Sequence, residues 1–236
     1  MDVRTADSIA DRLRIVMDRI RQTALAVGRD PNGIRLVGAT KKVSAERVRE
    51  AVAAGLRVAG ENRLQEAIPK IQALRDEPLR WHFIGHLQRR KVRDVVARFE
   101  VIHSVDTLEL ASEIDRRAQA AAIRQDVLLE VNVAGESTKA GFSPHQLEEQ
   151  FAQFSGLTHL RIRGLMTIPP PVDDPEQARI HFRTLRELAG RLSALAVPEV
   201  AMTELSMGMS SDYEVAVEEG ATLVRVGTAI FGRRDA

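Results

Sequence analysis

Ile9, Leu13, Val16 and Ile20 recur at spacings of four, three and four, which is the apolar stripe of an amphipathic helix. Beyond them the period changes. Short β-rich runs, predicted as strands at 36–40, 58–60, 81–84, 101–105, 127–133, 162–166, 204–207 and 223–226, alternate with helical patterns at 45–54, 107–121, 144–154, 175–195 and 212–219. Ser143-Pro144 and Asp174-Pro175 each set a capping side chain before a first-turn proline, a strong helix start. Most of the strand runs are apolar on both faces, as in a parallel sheet covered by helices. Eight of them predict a closed α/β barrel of the TIM (β/α)8 type rather than an open doubly wound sheet. The sequence ends soon after the eighth run, so the N-terminal helix is expected to fill the place of a last outer helix.

The 236 residues match the size of one such barrel. PPPVDDP at 169–175 is stiff but too brief to separate domains, and no repeat is visible, so residues 1–236 read as a single domain. Apolar residues make up 44% of the chain, and 34 basic against 33 acidic side chains leave a net charge of +1. That balance gives no reason to expect nucleic acid or an acidic membrane as partner. The absence of cysteine excludes disulfides, thiolate metal sites and a cysteine nucleophile. The opening MDVRTADSIADRLR is too charged for a signal peptide. No run approaches the roughly 18 apolar residues of a membrane span. The expectation is a soluble, cytoplasmic protein.

Barrels bind ligands at the C-terminal ends of their strands, with phosphate commonly held after the seventh and eighth. Polar residues gather at those ends here: Thr40-Lys41-Lys42, Gly60-Glu61-Asn62, Gly85-His86-Leu87-Gln88, Asn132, Thr167, Gly208-Met209-Ser210 and Gly227-Thr228. Residues 204–232 read as strand, Gly/Ser turn, helix, strand, Gly/Thr turn, with Ser211 and Glu214 spaced as a capping box. Two such turns can aim several backbone N–H groups at one anion, which is how phosphate is held without a Walker loop. A lysine just past a strand is ordinarily a solvated charge. Across a barrel mouth from a phosphate site, partly desolvated, Lys41 can instead form a Schiff base with an aldehyde. Pyridoxal 5′-phosphate carries both groups. Other residues have plainer readings. Trp81 and Phe83 alternate with His82 as core residues would, and His82 and His86, about 13 Å apart on a strand, make no metal pair. The basic run Arg89, Arg90, Lys91, Arg93 has the charge to touch RNA or phosphate, but a solvated helix start is the favoured reading. Met207 and Met209 pack at the rim or around the ligand.

The segments LVGATKK, GENRLQEAIPKI, WHFIGHLQRRKV, HSVDTLELA, EVNVAGESTKAGF, RGLMTI and ELSMGMSSDYEVAVEEGATLVRVGTAIFG follow one another from residue 36 to 232. In that order they resemble the pyridoxal-phosphate homeostasis proteins, whose barrel is similar to the N-terminal domain of alanine racemase. The resemblance implies that Lys41 is the lysine bonded to the cofactor aldehyde. Ser210, Gly227 and Thr228 match the phosphate cradle, Asn62 of the GEN motif matches a residue close to the cofactor, and Arg225 matches the arginine facing the pyridine nitrogen. Arg90 before Lys91, where the family usually has asparagine, and Val43-Ser44 after the lysine pair depart from the pattern. An arginine only donates hydrogen bonds and so favours an unprotonated ring nitrogen, a weaker electron sink. Racemases of this fold add a tyrosine base from a second domain, whereas the lone tyrosine here, Tyr213, opens a predicted helix and the sequence ends four residues after Gly232. The resemblance therefore implies a protein that holds and releases pyridoxal phosphate in vitamin B6 homeostasis, with no catalytic residues and no metal, and with apo-enzymes as recipients. Monomer is the default state. An amino-acid racemase or lyase using the same cofactor is the alternative, and a Schiff-base aldolase or phosphosugar barrel is a third reading.

Overall fold

Ser8 opens the first helix, its side chain accepting the Asp11 amide at 3.1 Å. In this computed structural model the described residues are 8–136, 138–198 and 200–232; the readings of residues 1–7 and of the last four residues lie outside them. Helix α1 (Ile9–Ala26) buries the predicted stripe, extended by Ala24. The chain then alternates: β1 (Arg35–Ala39), α2 (Ala45–Ala53), β2 (Val58–Glu61), α3 (Leu64–Ala73), β3 (Arg80–Phe83), α4 (Val92–Val95), β4 (Val101–Val105), α5 (Leu108–Ala120) and β5 (Gln125–Glu130). It continues with α6 (Pro144–Gln150), β6 (Leu160–Met166), α7 (Arg179–Ala194), β7 (Val200–Ser206), α8 (Tyr213–Glu218), β8 (Leu223–Val226) and α9 (Thr228–Phe231). The strands pair in parallel and in sequence order, and β8 returns to β1 to close the barrel.

The local signals explain most helix starts. Thr107 accepts the Leu110 amide at 3.1 Å, and Ser143 forms a capping box with Gln146. Asp174-Pro175 begins a single 3₁₀ turn, Pro175–Ala178, before α7 proper. α3 was not predicted, and the reason is visible: it carries Pro69 inside and Arg63 caps it with no side-chain hydrogen bond. The capping box expected at Ser211 and Glu214 does not form. Asp212 takes the cap position and folds back to accept the Met209 amide at 2.6 Å, while Glu214 is drawn outward to Arg19 at 3.3 Å.

Two apolar layers hold the molecule. Val37, Val58, Val101, Leu128, Met166 and Leu223 pack inside the barrel. The larger cluster lies between strands and helices and includes Trp81 and Phe83, as their alternation with His82 implies. At Gly164 the β6 register shifts, and a Cβ there would stand 1.8 Å from the Glu204 carbonyl oxygen. Only glycine lets β6 and β7 approach so closely. α9 is a single turn, and α1 with the segment after it covers the gap it leaves: Arg12 of α1 donates to the Ile230 carbonyl at 2.7 Å, and Arg29, beyond its end, to the Ala221 carbonyl at 2.8 Å. Among the described residues, no helix is long and apolar enough to cross a membrane.

Candidate functional site

Side chains alternate along β1, so Val37 and Ala39 face inward while Gly38 faces Leu56 and Thr40 faces the helices. The strand stops at Ala39, one residue earlier than predicted, and Thr40 to Val43 form a turn closed by the Val43 amide on the Thr40 carbonyl at 3.0 Å. Lys42 has φ of 58°, so a turn rather than a strand pleat separates the two lysines. Lys41 lines a cavity of about 280 Å³ at the barrel mouth, together with Ala39, Met209, Ser210, Ser211, Arg225, Gly227 and Thr228. Lys42 is not part of it, and its amide donates to Glu66 Oε2 at 2.8 Å.

The β7 and β8 turns form the opposite wall. Ser210 Oγ accepts the Gly227 amide at 3.1 Å and the Ala229 amide at 3.3 Å. With its lone pairs so used, its hydroxyl proton is left to donate. Gly208 makes this turn possible: φ is 89° and an added Cβ would lie 2.5 Å from Ala216 Cβ. Asn62 lies outside the residues lining the cavity, half-buried after β2, and its Oδ1 is buried without a hydrogen-bond partner among the described residues.

Arg225 forms the floor, where burial lowers its guanidinium to about 10 and the Glu130 and Asp212 carboxylates oppose that shift. It stays charged at neutral pH. Nη1 donates to Ser206 Oγ at 2.6 Å and Nη2 to the Thr167 carbonyl at 2.8 Å. Ser206 Oγ meets His103 Nδ1 at 2.9 Å, and His103 Nε2 meets His82 Nδ1 at 2.9 Å. Arginine has no acceptor, so Ser206 accepts from it, and the hydroxyl keeps a second lone pair and its proton for His103 Nδ1. In either direction along the string each ring carries one proton, and His103 accepts at one nitrogen and donates at the other. Both imidazoles are then neutral. Burial first, with neighbouring cations adding to it, lowers His82 to about 3 and His103 well below the usual imidazole range.

Glu130, one step beyond Leu128 on β5, is held up to about 7 by burial, with Asp106 adding to the rise and Arg225 opposing it. Asp106 itself is raised by burial, and His86, beyond the end of β3, sits 3.3 Å from it. Tyr213 borders a different hollow of about 480 Å³ behind Ser210–Asp212, where Arg12 and Arg19 face Glu176, Glu214 and Glu218. The Ser206–His103–His82 string and Glu130 were missed in the sequence. Strand alternation marks each as inward, but only barrel register brings four strands' residues to one height.

The chain matches the family described as the alanine racemase N-terminal domain over residues 11–235. A relative from Aquifex aeolicus (strain VF5), named pyridoxal phosphate homeostasis protein, is 49% identical over 224 residues, 95% of this chain and 97% of its own. These proteins are this chain's family. PipY of Synechococcus elongatus PCC7942, solved with pyridoxal phosphate bound, superposes with a TM-score of 0.82 at 39% identity, over 95% of this chain and all of that one. An alanine racemase of Clostridium difficile 630 shares the fold, with a TM-score of 0.72 at 17% identity, over 96% of this chain and 58% of its own. The barrel and the family resemblance expected from the sequence are thereby shown.

Proposed function

We propose that this protein, working as one domain in the cytoplasm, binds pyridoxal 5′-phosphate covalently through Lys41 and hands it on to apo-enzymes, without efficient catalysis of its own. The observation that carries the reading is the cavity in which an amine (Lys41), a buried guanidinium (Arg225) and the Ser210–Gly227–Thr228 turns meet. Its volume of about 280 Å³ lies just below the roughly 300–1,000 Å³ of ligand clefts, suited to one substituted ring. Asn62 Oδ1, buried with no partner among the described residues, adds an acceptor at the end of β2. PipY, a structural relative, binds this cofactor.

When bound, pyridoxal phosphate supplies an electrophilic aldehyde and an electron-withdrawing ring. Lys41 supplies the amine. The Ser210 hydroxyl and Thr228 supply donors for the phosphate, and Ser210 ties the two turns together through the Gly227 amide. Arg225 is fixed as a donor by Ser206 and Thr167, so a ring nitrogen facing it must accept, and the ring withdraws fewer electrons. Tyr213 borders the outer hollow against α1 rather than the cavity and offers no second base to the ring.

Borohydride reduction of the cofactor-loaded protein followed by peptide mapping tests the attachment. The label is expected on Lys41; a label on Lys42 would overturn the assignment. In deuterated water the unreduced cofactor-loaded protein should exchange the α-proton of amino acids negligibly. A rate of about 1 to 1,000 per second, the range of ordinary enzymes, would promote the racemase reading.

A further inference from the structure

Buried charged side chains lie beside Lys41 in the barrel wall. Glu61 and Thr40 are fully buried and Lys70 is nearly so, all three between the barrel wall and α3. Lys70 Nζ donates to the Thr40 carbonyl at 2.6 Å and to Glu61 Oε1 at 2.5 Å, and Thr40 Oγ1 donates to the same Glu61 oxygen at 2.6 Å. One helical turn earlier, Glu66 Oε2 accepts the Lys42 amide at 2.8 Å. Glu66 and Lys70 are four residues apart, so they project from the same face of α3.

These two contacts straddle Lys41. The Thr40 carbonyl belongs to the peptide plane before the Lys41 Cα, and the Lys42 amide belongs to the plane after it. Peptide planes are rigid, so φ and ψ of Lys41 are simply the rotations between those two planes. Gripping both fixes the direction in which the side chain leaves the backbone. A buried ion pair is weak evidence for stability, since well-packed apolar residues often do as well. Its geometry is a different matter: it presents an ammonium at a fixed place, and here that place is the carbonyl preceding the cavity lysine.

We infer that Glu66 and Lys70 are positioning residues that clamp the two peptide planes flanking Lys41 and so aim its amine at an incoming carbonyl. Glu61 holds the Lys70 ammonium in place. The inference rests on the reading that Lys41 bonds the cofactor aldehyde, and its test separates the two.

The experiment compares dissociation constants for pyridoxal phosphate and pyridoxamine phosphate, which has an amine in place of the aldehyde and cannot condense with a lysine. The proteins are wild type, Glu66→Ala, Glu66→Gln and the double variant Glu61→Gln/Lys70→Met, which removes both buried charges together. Glu66→Ala and the double variant should each weaken pyridoxal phosphate by about tenfold, the scale of one lost charge-assisted hydrogen bond. Pyridoxamine phosphate should change less than about twofold on the same scale. Glu66→Gln keeps an acceptor and should behave as wild type. Equal losses for both ligands would mean that α3 merely supports the fold, and no loss for either would mean that Lys41 needs no clamp; both results overturn the inference. Failure of the underlying reading shows in wild type alone, as equal affinity for the two ligands and no borohydride label on Lys41.

Discussion

Glu130 shows what a single side chain adds to this site. Its carboxyl is raised from 4.5 to about 7 by burial, reinforced by Asp106 and opposed by Arg225; the paired β6 residue, Met166, is apolar. The folded protein therefore binds this proton more tightly than the unfolded chain does. Stability from this group is intact below about pH 4.5, falls as pH rises towards 7, and stays reduced above it. Glu130→Gln removes the penalty. The variant should match wild type in urea denaturation at pH 4 and exceed it at pH 8, by up to about 3 kcal/mol. A difference independent of pH would show that the carboxyl does not titrate there. The sequence placed Glu130 on a strand, but nothing in its neighbours along the chain reveals that Asp106 and Arg225 face it.

Among the elements, β6 is the one whose behaviour the sequence concealed. Gly164 lies within RGLMTI and reads as an ordinary strand glycine. In the barrel it is where β6 loses register with both neighbours and where an added Cβ would run into the β7 backbone at Glu204. Gly164→Ala should force the two backbones apart and cost on the order of 3–5 kcal/mol, seen as a fall in the urea midpoint. The same substitution at Gly190, where an added Cβ meets nothing within 4 Å, should be neutral or slightly stabilising, because helix interiors favour alanine. The capping signals show the opposite case. Ser143-Pro144 acts within one turn and was legible, whereas Ser211 and Glu214 lost to partners at Met209 and on α1 that local spacing cannot foresee.

At the level of the whole molecule, α1 completes the outer ring. Its buried face of Ile9, Leu13, Val16 and Ile20 packs into the main core, and its arginines tie it to β8's flanks. Leu13→Ala should then destabilise the entire barrel by roughly 2–5 kcal/mol, lowering the urea midpoint with an unchanged slope. A separate early transition, with the rest of the barrel unaffected, would show that α1 is an appended helix rather than part of the ring.

The sequence by itself determined the alternation of strands and helices, the barrel class and the family, because periodicity, capping and the order of motifs are written in neighbouring residues. It also put polar residues at the strand ends, since inward and outward positions alternate along every strand. Tertiary structure alone decided which of them meet. Register around eight strands sets Arg225, Ser206, His103 and His82 in one hydrogen-bonded string, although they come from β8, β7, β4 and β3. Packing of α3 against the wall brings Glu66 and Lys70 to either side of Lys41. Both depend on distances between segments far apart in the chain, which local patterns of apolar and polar residues do not encode.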